Sequence, residues 1–201
     1  MYIESETQLR AIYGHPKGRA KAKQLPGLEP HSINFIEHSP FIIVSTHAMS
    51  GSVDCSPRGG NPGLVKIISP HCIVIPDSKG NNRLDSLVNI IDTGHVGCLF
   101  LIPGVDETLR VNGRARISAS AAHLNLFAND KNPPKTCIEI NIEEVFLHCA
   151  KALMRSQLWS YEAQIDRAEF PTMATMLNAQ LSINDQPESQ ADMVARYQHD
   201  L

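Results

Sequence analysis

The stretch PDSKGNNRLDSLVNIIDTGHVGCLFLIPGVDETLRVNGRAR, residues 76–116, decides most of what the sequence predicts. An apolar strand ends at Pro76-Asp77, a turn rich in Gly and Asn follows, and Arg83 stands where an amphipathic helix begins. Free backbone N–H groups at a helix start attract anions, and the helix dipole adds to that attraction. The stretch therefore predicts an anion site, of the kind that binds a phosphate-bearing cofactor.

The helix after this turn has clear boundary signals. Asn82 is the expected N-cap, Asp85 stands at the capping-box position, and Gly94 is placed to end the helix. Apolar residues recur at helical spacing, at Leu84, Leu87, Val88 and Ile91. This spacing predicts one buried helix face.

The rest of the chain is mainly β. Apolar runs at hairpin spacing predict strands at 41–48, 52–56, 64–68, 72–75, 96–102, 109–117 and 137–147. Short strands in this pattern indicate an antiparallel barrel or sandwich, and the lack of regular βαβ units disfavours a doubly wound sheet. Further helices are predicted at 6–13, 30–38, 118–127 and 170–181, and the polar stretch after them is expected to be peripheral or partly mobile. The fold class is thus mainly β with peripheral helices (α+β).

Composition excludes several classes of function. The 201 residues suffice for one domain, and the net charge of −3 argues against a nucleic-acid partner. No apolar run approaches the ~20 residues of a membrane span, and the first residues do not resemble a secretory signal, so we expect a cytoplasmic protein without a membrane partner. The five cysteines have no CxxC pair and the nine histidines have no HxxxH spacing, which predicts no metal site. Rossmann, P-loop and GxSxG motifs are missing as well, and no catalytic residue can be named.

Three groups of side chains could carry chemistry. Ser56 and Arg58 share a face if the strand before them continues. Arg110, Asn112, Arg114 and Arg116 share one face of a later strand, which is either a solvated face or a surface that meets an anionic ligand or a partner subunit. Lys151 and Arg155 lie four residues apart, and Trp159 after them is either a core anchor or a cover for a planar ring.

Four ordered blocks carry a family resemblance. They are SVDCSPRGGNPG (52–63), IPDSKGNNRLDSLVNI (75–90), FLIPGVDETLRVNGRARI (100–117) and FLHCAKALMRSQLW (146–159). Together they resemble the pyridoxamine 5′-phosphate oxidase-like superfamily of FMN-binding split β-barrels, over residues 3–159. The resemblance implies a split antiparallel β-barrel domain at 1–160 with N-terminal helices, followed by a C-terminal helical extension at 161–201 that is partly mobile.

The resemblance also implies a cofactor, a partner and a site. It implies a homodimer with FMN at the subunit interface and a small-molecule substrate. The phosphate would be bound by Asn82, Arg83 and Ser86, with help from Lys79. The remaining implied contacts of the flavin are Ser56, Pro57, Arg58, Asn89, Arg110 and Asn112, with Lys151, Arg155 and Trp159 approaching from the partner subunit.

Two departures limit the transfer of activity. Pyridoxamine-phosphate oxidases carry an Arg-Lys pair at the phosphate turn, where this chain has Arg83-Leu84. They also end in a strand with paired Arg and Trp residues, which the last 40 residues here lack. We therefore expect an FMN-dependent oxidoreductase, with hydride transfer through flavin N5, rather than a vitamin B6 oxidase. The alternatives are a non-catalytic flavin or tetrapyrrole binding module and a deazaflavin-dependent reductase.

Overall fold

A computed structural model describes residues 2–200, apart from the side chains of residues 20 and 21. Three short helices come first: α1 (Glu6–Tyr13), α2 (Arg19–Ala22) and α3 (Pro30–His38). The Ser5 hydroxyl accepts the Gln8 N–H at the start of α1, and Gly14, with φ 70°, ends that helix, so the predicted boundaries are confirmed.

Seven strands follow, and every neighbouring pair is antiparallel. They are β1 (Phe41–His47), β2 (Val53–Gly59), β3 (Lys66–Ser69), β4 (Cys72–Pro76), β5 (His95–Ile102), β6 (Val105–Ser118) and β7 (Cys137–His148). The order across the sheet is β2-β1-β5-β6-β7-β4-β3. All seven strands were predicted, and the mainly β split-barrel class is confirmed.

One face of the sheet, here called the inner face, holds the core. Ile42 and Val44 of β1 are fully buried there, and the facing residues of β5 and β6 continue the same layer. The opposite, outer face of β6 carries Arg110, Arg114 and Arg116, which are exposed as the alternation predicts.

A register shift between β6 and β7 explains why residue 113 is a glycine. The shift lies between Asn112 and Gly113 on β6. A Cβ atom at position 113 would lie 2.1 Å from the Asn141 carbonyl oxygen, so a side chain cannot be placed there without moving the backbone.

Helix α4 (Asp85–Thr93) connects β4 to β5, and two predictions about it are wrong. Its N-cap is Leu84, not Asn82, because Asn82 and Leu84 both adopt φ 61° and the helix begins only after them. The buried residues are Ser86, Leu87, Asn89 and Ile90. Of the predicted apolar face, Leu84, Val88 and Ile91 are exposed. Relative to the prediction, the helix is rotated about its own axis, because polar side chains connect it to the β1–β2 hairpin, as described below.

The remaining helices are short and peripheral. They are α5 (Ala121–Leu124) with a 3-10 turn at Asn125–Phe127, α6 (Lys151–Ser156), α7 (Met173–Leu181) and α8 (Gln190–Tyr197). The predicted helix at 118–127 is thus shorter than expected, α7 is confirmed, and α8 was missed. No described residue after Cys149 is buried. No helix within residues 2–200 combines the length and apolar character that crossing a membrane requires.

Candidate functional site

The turn between β4 and α4, residues 77–84, is the centre of the candidate site. The Asp77 N–H donates to the Thr136 carbonyl oxygen over 3.0 Å, which pins the start of the turn. At the other end, no side chain of the described residues caps α4. The first-turn N–H groups of a helix have no acceptor within the helix. Since no described side chain caps α4 either, these groups are available to an anion.

Two cations project from this turn. Arg83 is exposed, and its Nε donates to Asp85 Oδ2 over 2.8 Å. That hydrogen bond raises the pKa of Arg83, and the charges of Asp85 and Asp54 add to the rise. The Lys79 ammonium lies 2.6 Å from Asp200 of the C-terminal extension. Asn82 shares the turn, so the structure places three of the predicted phosphate-binding residues within one loop.

Asp54 joins β2 to α4 and was not among the predicted site residues. Its Oδ2 atom accepts hydrogen bonds from Ser56 Oγ over 2.9 Å and from Ser86 Oγ over 2.5 Å. One carboxylate thus brings together Ser56 and Ser86, and its charge adds to the rise in the pKa of Arg83. The signal in the sequence was the alternation Asp54-x-Ser56-x-Arg58, which places three polar side chains on the inner face of an edge strand.

Further polar contacts fix α4 to the β1–β2 hairpin. Asn89 is buried and its Nδ2 donates to Thr46 Oγ1 over 3.0 Å. Asp92 accepts the Met49 N–H over 2.6 Å, and the Thr93 hydroxyl donates to the His47 carbonyl oxygen over 3.0 Å. These bonds explain why α4 turns its polar residues inward. They also mean that Ser86 and Asn89 position the helix in the described structure.

Arg58 and Asp77 form an ion pair across the gap between two strands that do not pair. Arg58 Nη1 lies 2.6 Å from Asp77 Oδ1, and both side chains are largely buried. Arg58 lies on edge strand β2, whereas Asp77 follows β4, on the far side of the sheet order. The pair thus connects the strand predicted to contact the flavin ring with the start of the phosphate turn. Asp77 is a second residue that the sequence did not single out.

One donor of this pair lacks an acceptor. Arg58 Nε is buried and has no hydrogen-bond partner among the described residues. A buried donor without a partner costs about 1–3 kcal/mol, so such a group calls for an explanation such as a bound molecule. Pro57, between Ser56 and Arg58, is exposed on the opposite face, so the three neighbouring residues do not form one surface.

The other predicted contacts lie elsewhere in a single chain. On the outer face, Arg110 lies 5.5 Å from the centre of the Phe146 ring, and Asn112 Nδ2 donates to Glu144 Oε2 over 2.7 Å. Lys151 and Arg155 are exposed on α6. The half-buried Trp159 donates its Nε1–H to the Val105 carbonyl oxygen over 2.9 Å. One chain therefore does not bring these residues to the turn.

No group of three metal-ligating side chains within the described residues is arranged to hold a metal ion. The titratable groups around the turn are instead engaged with one another. The arrangement can bind an anion at Arg83 and the start of α4, and it can donate hydrogen bonds from the arginine of β2.

Comparison with known proteins identifies the family. A family model described as pyridoxamine 5′-phosphate oxidase matches residues 28–149. No curated protein matches significantly. Among solved structures, HupZ of Group A Streptococcus is 16% identical, with a TM-score of 0.51 over 60% of this chain and 93% of that chain. A putative pyridoxamine 5′-phosphate oxidase from Lactobacillus delbrueckii is 19% identical, with a TM-score of 0.49 over 62% of this chain and 98% of that chain.

The likeness to HupZ shows a shared fold, and the family model covers more than half of the chain. The matched region runs from the residues before α3 to the end of β7 and includes the turn at 77–84. The C-terminal extension lies outside it. The chain belongs to the pyridoxamine 5′-phosphate oxidase family.

Proposed function

We propose that this protein binds FMN at the turn 77–84 and acts as an FMN-dependent oxidoreductase in a homodimer. The observation that carries the proposal is the exposed Arg83 directly before an uncapped helix start, within the region that matches the family. A guanidinium and several free backbone N–H groups suit a phosphate, because both donate hydrogen bonds to its oxygens. The residue types present at the turn therefore fit the cofactor.

Each part of the site has a distinct role in this proposal. Arg83, Asn82 and Lys79 bind the phosphate, while Ser86 and Asn89 hold α4 in place through Asp54 and Thr46. Ser56 and Arg58 contact the ring from the inner face of β2, and the outer-face residues Pro57, Arg110 and Asn112 join them from a second copy, together with its Lys151, Arg155 and Trp159. When bound, FMN supplies hydride transfer at N5.

Arg58 contributes charge and a hydrogen-bond donor. The Asp77 carboxylate holds one end of its guanidinium, while the buried Nε–H has no acceptor. A cation near the ring stabilises negative charge that develops on it during reduction. Because Asp77 compensates much of that charge, the hydrogen-bond donor carries more weight than the net charge.

A second copy is expected against the side of α4 that faces away from the sheet. Large apolar side chains are exposed there at Leu84, Val88 and Ile91. Neighbouring exposed apolar side chains of this kind are typical of an interface. A homodimer would cover them and would bring α6 of one subunit towards the flavin of the other.

We assign residues 1–160 to the flavin-binding domain and 161–201 to the C-terminal extension.

The experiment begins with freshly purified protein. We expect a yellow protein with flavin absorbance and one FMN per chain, and reduction by NAD(P)H followed by reoxidation with a substrate. A colourless protein that does not take up added FMN contradicts the proposal. A protein that binds FMN without cycling would instead be a flavin-binding module.

A further inference from the structure

The C-terminal extension forms one wall of a large cleft in the described structure. The cleft has a volume of about 1100 Å³ and lies beside the turn 77–84, with residues 59–64 and 127–132 on its other sides. Three residues of the extension line it: Arg196, Tyr197 and Asp200. Ligand sites are commonly clefts of about 300–1,000 Å³, so this one is large enough for a small molecule.

The wall formed by the matched domain is positively charged. Lys66, Lys79 and Lys131 line it, against the single carboxylate of Asp130. Such a wall attracts anions.

The extension presents a negative charge to that wall. Arg196 forms two hydrogen bonds with Glu188, of 2.8 and 3.0 Å, so its charge is compensated within the extension. Asp200 instead reaches the Lys79 ammonium at 2.6 Å, and Lys131 Nζ donates to the Gln198 carbonyl oxygen over 3.2 Å. The end of the extension thus lies where a bound anion would lie.

We propose that Asp200 is an internal competitor for the anion site: its carboxylate occupies Lys79, and a ligand phosphate must displace it. The proposal rests on the proposed function, in which Lys79 helps to bind the FMN phosphate. The contact is suited to displacement, because both side chains are substantially exposed and exposed ion pairs are weak. The extension therefore regulates the affinity of the site.

The size of the effect follows from the weakness of the pair. If the pair is populated to the degree usual for an exposed ion pair, it lowers the apparent FMN affinity about two- to sixfold. Asp200→Asn removes the competing charge and should tighten FMN binding by that factor. Asp185→Asn is the matched control, because this exposed carboxylate of the same extension has no ion pair or side-chain hydrogen bond in the described structure.

The test combines FMN titration with limited proteolysis of the full chain. Trypsin cleavage after Arg196 reports release of the end of the extension. We expect FMN to speed this cleavage in the parent protein, whereas Asp200→Asn should be cleaved quickly with or without FMN. A purely long-range effect of charge would tighten FMN binding without this change in cleavage.

Three outcomes would be decisive. Equal FMN affinities in the parent and in Asp200→Asn overturn the competition, and so does FMN-dependent protection of the Arg196 site in the parent. A lack of FMN binding in all three proteins overturns the proposed function instead. In that case, faster cleavage of Asp200→Asn in the absence of FMN still supports the contact, and equal cleavage contradicts it.

Discussion

Two ion pairs connect the same turn to other parts of the molecule, and their distances are equal. Arg58–Asp77 and Lys79–Asp200 both measure 2.6 Å. The first pair has side chains that are 18% and 17% exposed, whereas those of the second are 69% and 41% exposed. Because water screens exposed charges, equal distances here do not mean equal energies. The buried Arg58–Asp77 pair is therefore part of the fold, whereas the exposed Lys79–Asp200 pair can open and exchange partners.

The same contrast separates the two regions to which the pairs belong. Strands β1–β7 bury a continuous apolar layer on the inner face of the sheet, including Ile42, Val44 and Phe100. Beyond Cys149, no described residue is buried. The sheet can therefore hold charged groups in fixed positions, while the extension contacts the domain through surface groups.

The largest expected effect comes from breaking the buried pair. Asp77→Asn leaves the guanidinium of Arg58 buried without a counter-charge, and we expect it to lower the free energy of unfolding by about 3 kcal/mol. Urea denaturation of the purified protein measures this change. Asp185→Asn, which removes an exposed carboxylate, is the reference. If Asp77→Asn lowered the free energy of unfolding no more than Asp185→Asn does, burial would not explain the difference between the two ion pairs.

The double variant Arg58→Gln/Asp77→Asn is the control for that prediction. It removes both charges and leaves two polar side chains, of which Asn matches Asp in shape and Gln is shorter than Arg. Most of the stability lost in Asp77→Asn should return, since no uncompensated charge stays buried.

The next effect concerns ligand affinity at the turn. Arg83→Ala removes a charge-assisted contact to the phosphate, so FMN affinity should fall about 10- to 100-fold. Affinity for riboflavin, which has no phosphate, should change little. Arg10→Ala is the matched control, because Arg10 also pairs with a nearby carboxylate but belongs to α1. Unchanged FMN affinity in Arg83→Ala would mean that the phosphate binds elsewhere.

Burial also predicts a pH dependence of the sheet region. Burial raises the pKa of the Cys98 thiol from 9.0 to about 12. The unfolded chain loses this proton first, so the thiol's contribution to stability is intact below about pH 9 and declines as the pH rises towards 12. The decline is about 1.4 kcal/mol per pH unit in that window. Denaturation at several alkaline pH values should show a flatter decline for Cys98→Ala, and identical slopes would contradict the prediction.

The smallest expected effect comes from the exposed pair. Asp200→Asn should change the free energy of unfolding by less than about 1 kcal/mol. Thermal denaturation beside Asp77→Asn makes the comparison direct. A loss equal to that of Asp77→Asn would show that the extension is integrated into the fold.

The sheet could be predicted because its signals are local. Alternation along the strand at 109–117 identified the inner and outer faces of β6, and the turn at residues 103–104 identified its hairpin with β5. The four sequence blocks that resemble the family then identified the sheet as a split β-barrel. Helix α8 was missed because it lies in a polar stretch, although Ser189 and Asp192 carry a capping signal, with the Ser189 hydroxyl accepting the Asp192 N–H.

The site was predicted less completely, because its organising residues act over long distances. The turn and Arg83 were proposed from the sequence, and their role in binding a phosphate stays a prediction. Asp54 and Asp77, which connect β2 to α4 and to the turn, gain their roles from partners 32 and 19 residues away. Likewise, apolar spacing placed Val88 and Ile91 inward, whereas contacts with the hairpin turn them outward. Periodicity reports that a helix is amphipathic, but tertiary polar contacts decide which side faces the protein.

The row of polar contacts along α4 has a consequence for local stability. Ser86, Asn89, Asp92 and Thr93 tie successive turns of one helix to the β1–β2 hairpin. Separating helix and hairpin would break all four bonds together, so the two elements should open as a single cooperative unit in hydrogen exchange. The amides of α4 and of β1 near Thr46 should then exchange with a common opening free energy. A ligand bound at residues 77–84 would raise that free energy for the whole unit, including hairpin residues that it never touches.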